Sequence, residues 1–208
     1  ISGVSVELYY SISETMPIIC RHSRVLSGKT AVYLTNAASA SIDFSDSDFK
    51  YMHLHGAWIR EKHIETAEVK KGFQGIESRR GASSPNENPF MAIMRKDAGE
   101  DFGEVYGFSL VYSGNFKMLL EAETYGTMRF QAGVNPHNFK WKLNKGEQFI
   151  TPELVMVYSE NGLGEMSRTF HRLYRRNLCR GIWRDKVRPI PVSYTHLRAT
   201  RPEPISYA

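Results

Sequence analysis

Three aspartates and a tryptophan form the part of this sequence whose residue types best suit chemistry. Asp43, Asp46 and Asp48 lie within six positions, and Trp58 follows after a strand-like run. A carboxylate can accept hydrogen bonds from two sugar hydroxyls, while an indole face packs against the apolar C–H side of a pyranose. The combination suits a sugar-binding surface. It equally suits an acid-rich turn followed by a half-buried strand tryptophan, so the residues alone leave both interpretations open.

Other reactive residues point to no further chemistry. His53 and His55 share a strand face, but no carboxylate or third histidine lies at ligand spacing, so we expect no metal site. Cys20 and Cys179 are far apart, which favours a reducing compartment and a cytoplasmic location. The sequence contains no phosphate-binding loop, dinucleotide fingerprint, zinc-protease motif or nucleophile elbow. We therefore expect no cofactor.

Composition and charge narrow the range of partners. The chain has 208 residues, of which 41% are hydrophobic and 24% charged, as in an ordinary globular protein. No run is long and apolar enough to cross a membrane. The net charge of +5 comes from one region, since eight basic residues lie between Glu165 and Val192. Basic residues on one helical face do not make a nucleic-acid surface, so neither nucleic acid nor membrane is an expected partner.

Short alternating segments separated by turn residues dominate the first 160 positions. Residues 4–10 alternate apolar and polar, which predicts a strand with one buried face. Ten further strands are predicted at 17–25, 30–34, 51–59, 64–69, 90–94, 105–113, 116–122, 127–132, 139–143 and 154–158. Residues 36–41 read as a connection, and residues 71–90 as a long loop rich in Gly, Ser, Asn and Pro. Such spacing predicts an all-β fold, an antiparallel β-sandwich.

The hydrophobic period changes to that of a helix at Gly162. Glu165 suits the first helical turn and Gly181 the C-terminal stop. The apolar stripe consists of Met166, Phe170, Leu173, Tyr174 and Leu178, and the basic stripe of Arg168, Arg172, Arg175 and Arg176. The arginines form either a solvated face or salt bridges to a following domain.

Three regions follow from these patterns. Residues 1–161 are predicted to form the sandwich domain, residues 162–192 a helix and linker, and residues 193–208 a tail. The tail has no helical or strand period, and its start resembles the translation of sequencing-adapter DNA, so we expect it to pack against nothing. Because the first residue is Ile1, we also expect the true N-terminus to lie upstream.

Several motifs together resemble one family. They are residues 43–49, 56–58, 78–84 with 88–90, 103–108, 111–116 and 180–190. These runs are similar to the N-terminal domain of family 36 glycoside hydrolases, the microbial α-galactosidases, and the resemblance extends from Gly3 to Ile190. Two departures accompany it: Pro85 stands where the family usually has His, and the family's Asn-Asn-Trp-Glu continuation is replaced by the tail.

The resemblance implies a fold and a role. It implies a β-sandwich (supersandwich) whose helix and linker lead to a (β/α)8 barrel that this sequence lacks. That barrel carries both catalytic aspartates in the family, so no catalytic residue is expected here. The family's retaining mechanism hydrolyses terminal α-galactose from raffinose- or melibiose-type oligosaccharides. Its tetrameric members lend an Asp and a Trp to a neighbouring subunit's sugar pocket, and the matching positions are Asp46 and Trp58.

Two alternatives remain open from the sequence. A free-standing carbohydrate-binding or interaction module would need no barrel, and a stop codon after the linker in the gene would favour it. An α-N-acetylgalactosaminidase of the same family would differ in pocket residues that lie in the barrel. Within the sequence, Asp46 and Trp58 are the residues expected to contact sugar, and a strand between them could bring both to one rim.

Overall fold

Antiparallel strands make up most of the computed structural model, which describes residues 3–187. The strands are β1 (Ser5–Ile12), β2 (Ile18–Leu26), β3 (Val32–Leu34), β4 (Ala37–Phe44), β5 (Phe49–Ala57), β6 (Arg60–Glu68), β7 (Gly72–Glu77), β8 (Glu87–Arg95), β9 (Val105–Val111), β10 (Phe116–Ala122), β11 (Met128–Val134), β12 (Trp141–Leu143), β13 (Gln148–Ile150) and β14 (Glu153–Ser159). The α-helix is α1 (Gly162–Leu173). The predicted all-β antiparallel sandwich is confirmed.

Two large sheets and one small sheet organise these strands. The larger sheet has the order β1-β2-β14-β9-β8-β5-β6, with β13 paired to the side of β2. The second sheet has the order β4-β11-β10-β7, and β12 pairs with β3. Every pair of named strands is antiparallel. All eleven predicted strands overlap observed ones.

The hydrophobic core lies between the two large sheets. In β10, buried and partly buried residues alternate strictly, as a strand with one face on a core requires. Phe108 of one sheet stacks on Phe130 of the other, with ring centroids 4.1 Å apart. Phe116, Met118 and Leu120 are fully buried beside them. This packing fixes the strands whose ends carry the candidate site.

Two segments predicted as connections are strands. Residues 36–41 were expected to connect strands, but they contain most of β4, whose Ala37 and Ala40 are buried. The long loop predicted at 71–90 contains β7 and the first residues of β8. Gly75 explains part of this error, because a Cβ atom there would lie 2.1 Å from the Met118 carbonyl oxygen. The glycine at this position allows two strands of a sheet to approach closely, and it does not mark a turn.

Strand β1 differs from its prediction in burial. One buried face was predicted, yet all eight residues of β1 are exposed. The second sheet ends at β4, which contacts β2 and β14, while β1 lies one strand farther out. Strand β13 has only three residues and was missed, since a period of two is not visible over so short a run.

The α-helix is shorter than the sequence predicted. One helix was expected to run to a stop at Gly181, but α1 ends at Leu173 and residues Tyr174–Leu178 form a π-helix. Met166 and Phe170 of α1 are buried, and the Phe170 ring lies 5.7 Å from that of Phe90. No helix within residues 3–187 is long and apolar enough to span a membrane.

The predicted region boundaries remain predictions. One compact unit extends through Phe170 and a second begins at His171. The predicted tail, residues 193–208, lies outside the described residues.

Candidate functional site

Asp46 lies in the bend between β4 and β5 and is held by two hydrogen bonds. Its Oδ1 accepts a bond of 2.7 Å from Arg95 Nη1 and one of 3.0 Å from the Asp48 amide. The Arg95 hydrogen bond lowers the pKa of Asp46, so the carboxylate stays charged at neutral pH. Both bonds go to Oδ1, and Oδ2 has no partner among the described residues. That oxygen, on a side chain that is 41% exposed, remains able to accept hydroxyl hydrogen bonds.

Arg95 joins Asp46 to a second carboxylate. Arg95 Nε donates to Glu104 Oε2 at 2.7 Å, and its guanidinium carbon lies 4.0 Å from the centroid of the Phe49 ring. The Tyr106 hydroxyl donates to Glu104 Oε1 at 2.6 Å, and this bond is the main cause of the lowered pKa of Glu104. The network therefore consists of two carboxylates, Asp46 and Glu104, that share the guanidinium of Arg95 at the end of β8.

The other two aspartates of the motif are also paired with basic residues. Asp43 accepts two bonds from Arg129, of 2.6 and 3.1 Å, and the bond from Arg129 lowers the pKa of Asp43. Lys96 Nζ lies 2.8 Å from Asp48 Oδ1. The sequence argument did not identify any of these ion pairs, and Asp46 is partly exposed as well as paired. Exposed ion pairs of this kind contribute little to stability.

Trp58 lies at the tip of the β5–β6 hairpin. Ala57 pairs with Arg60, so Trp58 and Ile59 form a two-residue turn. The Trp58 side chain is 82% exposed. Ile59 has φ of 68°, which a β-branched residue rarely adopts, and its amide donates to Glu61 Oε1 at 3.0 Å. An exposed indole on a strained turn is typical of a binding surface rather than of a core.

The structure does not bring Asp46 and Trp58 together. Asp46 precedes β5 and Trp58 follows it. The strand has nine residues, and at about 3.3 Å per residue its ends lie roughly 25 Å apart. One monosaccharide cannot contact both side chains of the same copy. The predicted common rim is therefore wrong, because an extended strand separates its ends rather than joining them.

A carboxylate that the sequence argument overlooked bridges the two histidines. Glu87 Oε1 lies 2.7 Å from His55 Nδ1, and Glu87 Oε2 lies 3.2 Å from His53 Nδ1. Glu87 is the first residue of β8, which pairs with β5. The Gly56 amide also donates a hydrogen bond of 3.2 Å to the Asn86 carbonyl oxygen. The segment that contains Asn86 and Glu87 therefore holds the base of the β5–β6 hairpin. Among the described residues, no group of three His, Cys, Asp or Glu side chains could hold a metal ion.

Replacing Glu87 by Gln is expected to destabilise the chain more at pH 6 than at pH 8.5. The Glu87 hydrogen bond raises the pKa of His55, whose other charged or titratable neighbours are Glu65, His63 and His53. A group whose pKa is raised on folding contributes stability below its unfolded pKa, about 6.5 for His, and loses it as pH rises through the folded value. Thermal unfolding of both proteins between pH 5.5 and 8.5 measures the difference in Tm.

Glu123→Gln provides the matched control, because Glu123 is an exposed carboxylate in the β10–β11 turn. Its effect on Tm is expected to show no comparable growth at low pH. A difference between wild type and Glu87→Gln that stays constant with pH would contradict the role assigned to the His55–Glu87 pair.

Comparison with protein-family models gives two matches along the chain. Residues 1–144 match the glycosyl hydrolase family 36 N-terminal domain, and residues 148–195 match the melibiase model. Alpha-galactosidase AgaA of Geobacillus stearothermophilus is 48% identical over 192 residues, which cover 92% of this chain and 26% of that protein. Alpha-galactosidase Mel36A of Lactobacillus acidophilus is 41% identical over 194 residues, with coverages of 93% and 26%.

Solved structures agree with these matches. A crystal structure of a variant of AgaA in complex with stachyose superposes with a TM-score of 0.89 at 49% identity, covering 90% of this chain and 26% of that one. The galactosidase domain of the alpha-galactosidase-sucrose kinase AgaSK gives a TM-score of 0.88 at 32% identity, with the same coverages. The chain thus spans about a quarter of the length of these relatives.

Proposed function

The chain belongs to glycoside hydrolase family 36, and on that basis we propose that it is the N-terminal domain of an α-galactosidase. The intact protein hydrolyses terminal α-linked galactose from oligosaccharides of the raffinose and melibiose type. The observation that carries this proposal is the 48% identity to AgaA over nearly the whole chain. We further propose a cytoplasmic location, on the basis of two widely separated cysteines.

In this proposal the domain is non-catalytic. A retaining glycosidase needs two carboxyl groups about 5 Å apart, one of which must be protonated to donate to the leaving oxygen. The carboxylates that flank Arg95 are unsuited to that role, because hydrogen bonds lower the pKa of both Asp46 and Glu104. The resemblance to the family implies that the acid and the nucleophile lie in a barrel that this sequence lacks.

The domain contributes to oligomerisation and to sugar binding in a neighbouring subunit. Trp58 is well placed for this role, since its exposed indole projects from a hairpin tip and can cover the apolar face of galactose. Asp46 can accept galactose hydroxyls through Oδ2. Because β5 separates the two residues, one copy offers them to two different pockets of a homotetramer. Each pocket then receives its Asp and its Trp from different neighbours.

The proposal is tested with the full-length gene product, obtained by reading the genomic locus past Val192. Release of galactose from raffinose is measured, with a nitrophenyl α-N-acetylgalactosaminide as comparison substrate. Proton NMR of the first product should show α-galactose, as retention requires. Absence of hydrolysis, or preference for the N-acetylated substrate, would contradict the proposed activity.

A further inference from the structure

A concave site lies on the sandwich, and neither Asp46 nor Trp58 lines it. A cleft of about 580 Å³ opens between the β9–β10 turn, the segment that precedes β12, and β13. Its walls include Tyr112, Asn115, His137, Asn138, Trp141 and Phe149. The volume falls within the range of about 300–1,000 Å³ that is typical of small-molecule sites. Nothing in the proposed galactosidase activity uses this cleft.

Aromatic rings form one wall of the cleft. Trp141 is 51% exposed, and its ring lies 5.5 Å from that of Phe149. The Phe139 ring also contacts that of Phe149, with ring centroids 5.8 Å apart. The contact with Phe149 fixes the indole while leaving part of its surface open to the cleft. An indole presented in this way can pack against the C–H face of a sugar ring.

The charge of the cleft indicates the class of ligand. None of its fifteen lining residues is Asp, Glu, Lys or Arg, although such residues make up 24% of the chain. His137 is the one lining imidazole. Hydrogen bonds to a phosphate, a carboxylate or a cation are strongest when the partner carries the opposite charge, and this lining offers no such side chain. The lining therefore favours a neutral ligand.

Polar groups on the walls can bind hydroxyls. Within residues 3–187, no protein partner is found for the Tyr112 hydroxyl, the Trp141 indole N–H or the Asn138 side-chain oxygen. The Asn138 amide nitrogen lies 3.4 Å from His137 Nε2. A polyhydroxylated ligand can satisfy these donors and acceptors, whereas a purely apolar ligand cannot.

The wall that carries His137 and Asn138 is held in place by Asn135. This buried side chain donates to the carbonyl oxygens of Ser78, at 3.1 Å, and Phe116, at 3.2 Å. Its Oδ1 accepts a bond of 2.9 Å from the His137 amide. The segment is therefore fixed before a ligand arrives, which lowers the entropic cost of binding.

We propose that this cleft binds a neutral oligosaccharide at a site separate from that of Asp46 and Trp58. The indole of Trp141 stacks on a sugar ring, while Tyr112 and Asn138 bind its hydroxyls. The site tethers a saccharide chain to the domain and needs no catalytic group. It stands whether or not the intact protein is an α-galactosidase.

The test uses the three tryptophans of the 208-residue chain as reporters. Indole N–H signals of the ¹⁵N-labelled chain are assigned by single Trp→Phe substitutions and followed by NMR during titration with raffinose. The Trp141 signal is expected to shift and to saturate as raffinose is added. The signals of Trp58 and Trp183 are expected to stay unchanged. A shift of Trp58 without Trp141 would overturn the cleft site while leaving the proposed function intact.

Two variants and a control complete the test. Trp141→Ala is expected to weaken binding at least ten-fold, read from backbone amides of the cleft, and Tyr112→Phe to weaken it several-fold while removing only a hydroxyl. Tyr125→Ala removes a 95% exposed aromatic ring elsewhere and should leave Kd unchanged. No saturable shift, or equal loss in the control, would overturn the proposal. Binding that disappears in the full-length protein would do so as well, since the remaining chain would then cover the cleft.

Discussion

The purified 208-residue chain is expected to release no nitrophenol from a nitrophenyl α-galactoside above the uncatalysed rate. Enzymes accelerate such reactions by roughly 10⁶-fold or more, and this acceleration depends on a correctly placed acid and nucleophile. In the chain, Arg95 lies between Asp46 and Glu104 and holds both as carboxylates. Neither can supply the proton that the leaving oxygen needs at neutral pH.

The control for this experiment is the full-length gene product, assayed at the same molar concentration. It should be active while the shorter chain is not. Circular dichroism must show that the shorter chain retains its β structure, so that inactivity reflects missing groups rather than unfolding. Hydrolysis by the folded chain at an enzyme-like rate would contradict the placement of both catalytic carboxyls in the barrel.

Alanine at Trp58 or at Asp46 in the assembled full-length enzyme is expected to lower kcat/KM roughly ten- to a hundred-fold. Loss of a hydrogen bond to a charged group typically costs about 1.5–3 kcal/mol, and each 1.4 kcal/mol is about ten-fold in rate. Trp58 makes no core contact that its removal would disturb, because the side chain is 82% exposed. Asp46→Ala leaves Arg95 paired with Glu104, so no buried charge is orphaned. Steady-state kinetics with raffinose measure the effect.

Matched substitutions separate sugar contact from general damage. Asp43→Ala removes an exposed carboxylate of the same motif, paired with Arg129, and should leave kcat/KM nearly unchanged. Phe73→Ala removes an exposed aromatic ring on β7 and should also leave kcat/KM nearly unchanged. Size-exclusion chromatography must show the same oligomer for all variants. Unchanged kinetics in a correctly assembled Trp58→Ala or Asp46→Ala enzyme would mean that the residue has only a structural role.

The proposal that one copy serves two pockets can be tested by mixing subunits. If the proposal holds, mixed tetramers of Trp58→Ala and Asp46→Ala subunits contain some pockets that receive both intact residues. If each pocket takes the two residues from different copies, mixing should restore part of the activity. If one copy supplies both, every pocket contacts a defective donor, and mixing should restore none.

Local periodicity determined most of the secondary structure. In β10, Phe116, Met118, Leu120 and Ala122 recur at every second position, and this period is visible in the sequence because one face of the strand lies on the core. Strands β4 and β7 were missed because their small residues resemble loop residues. In both cases the small side chains reflect close packing between strands, as at Gly75, which only the assembled sheet makes evident.

The sequence by itself determined the all-β class, the change to helix at Gly162 and the residue types suited to sugar binding. Only the tertiary structure decided their partners, since Arg95 lies 49 positions from Asp46 and Glu87 lies 32 positions from His55. No local pattern encodes such pairs, because strand register is set by packing of the whole sheet. The same cause separates Asp46 from Trp58: twelve positions that look close in the sequence become the two ends of one extended strand.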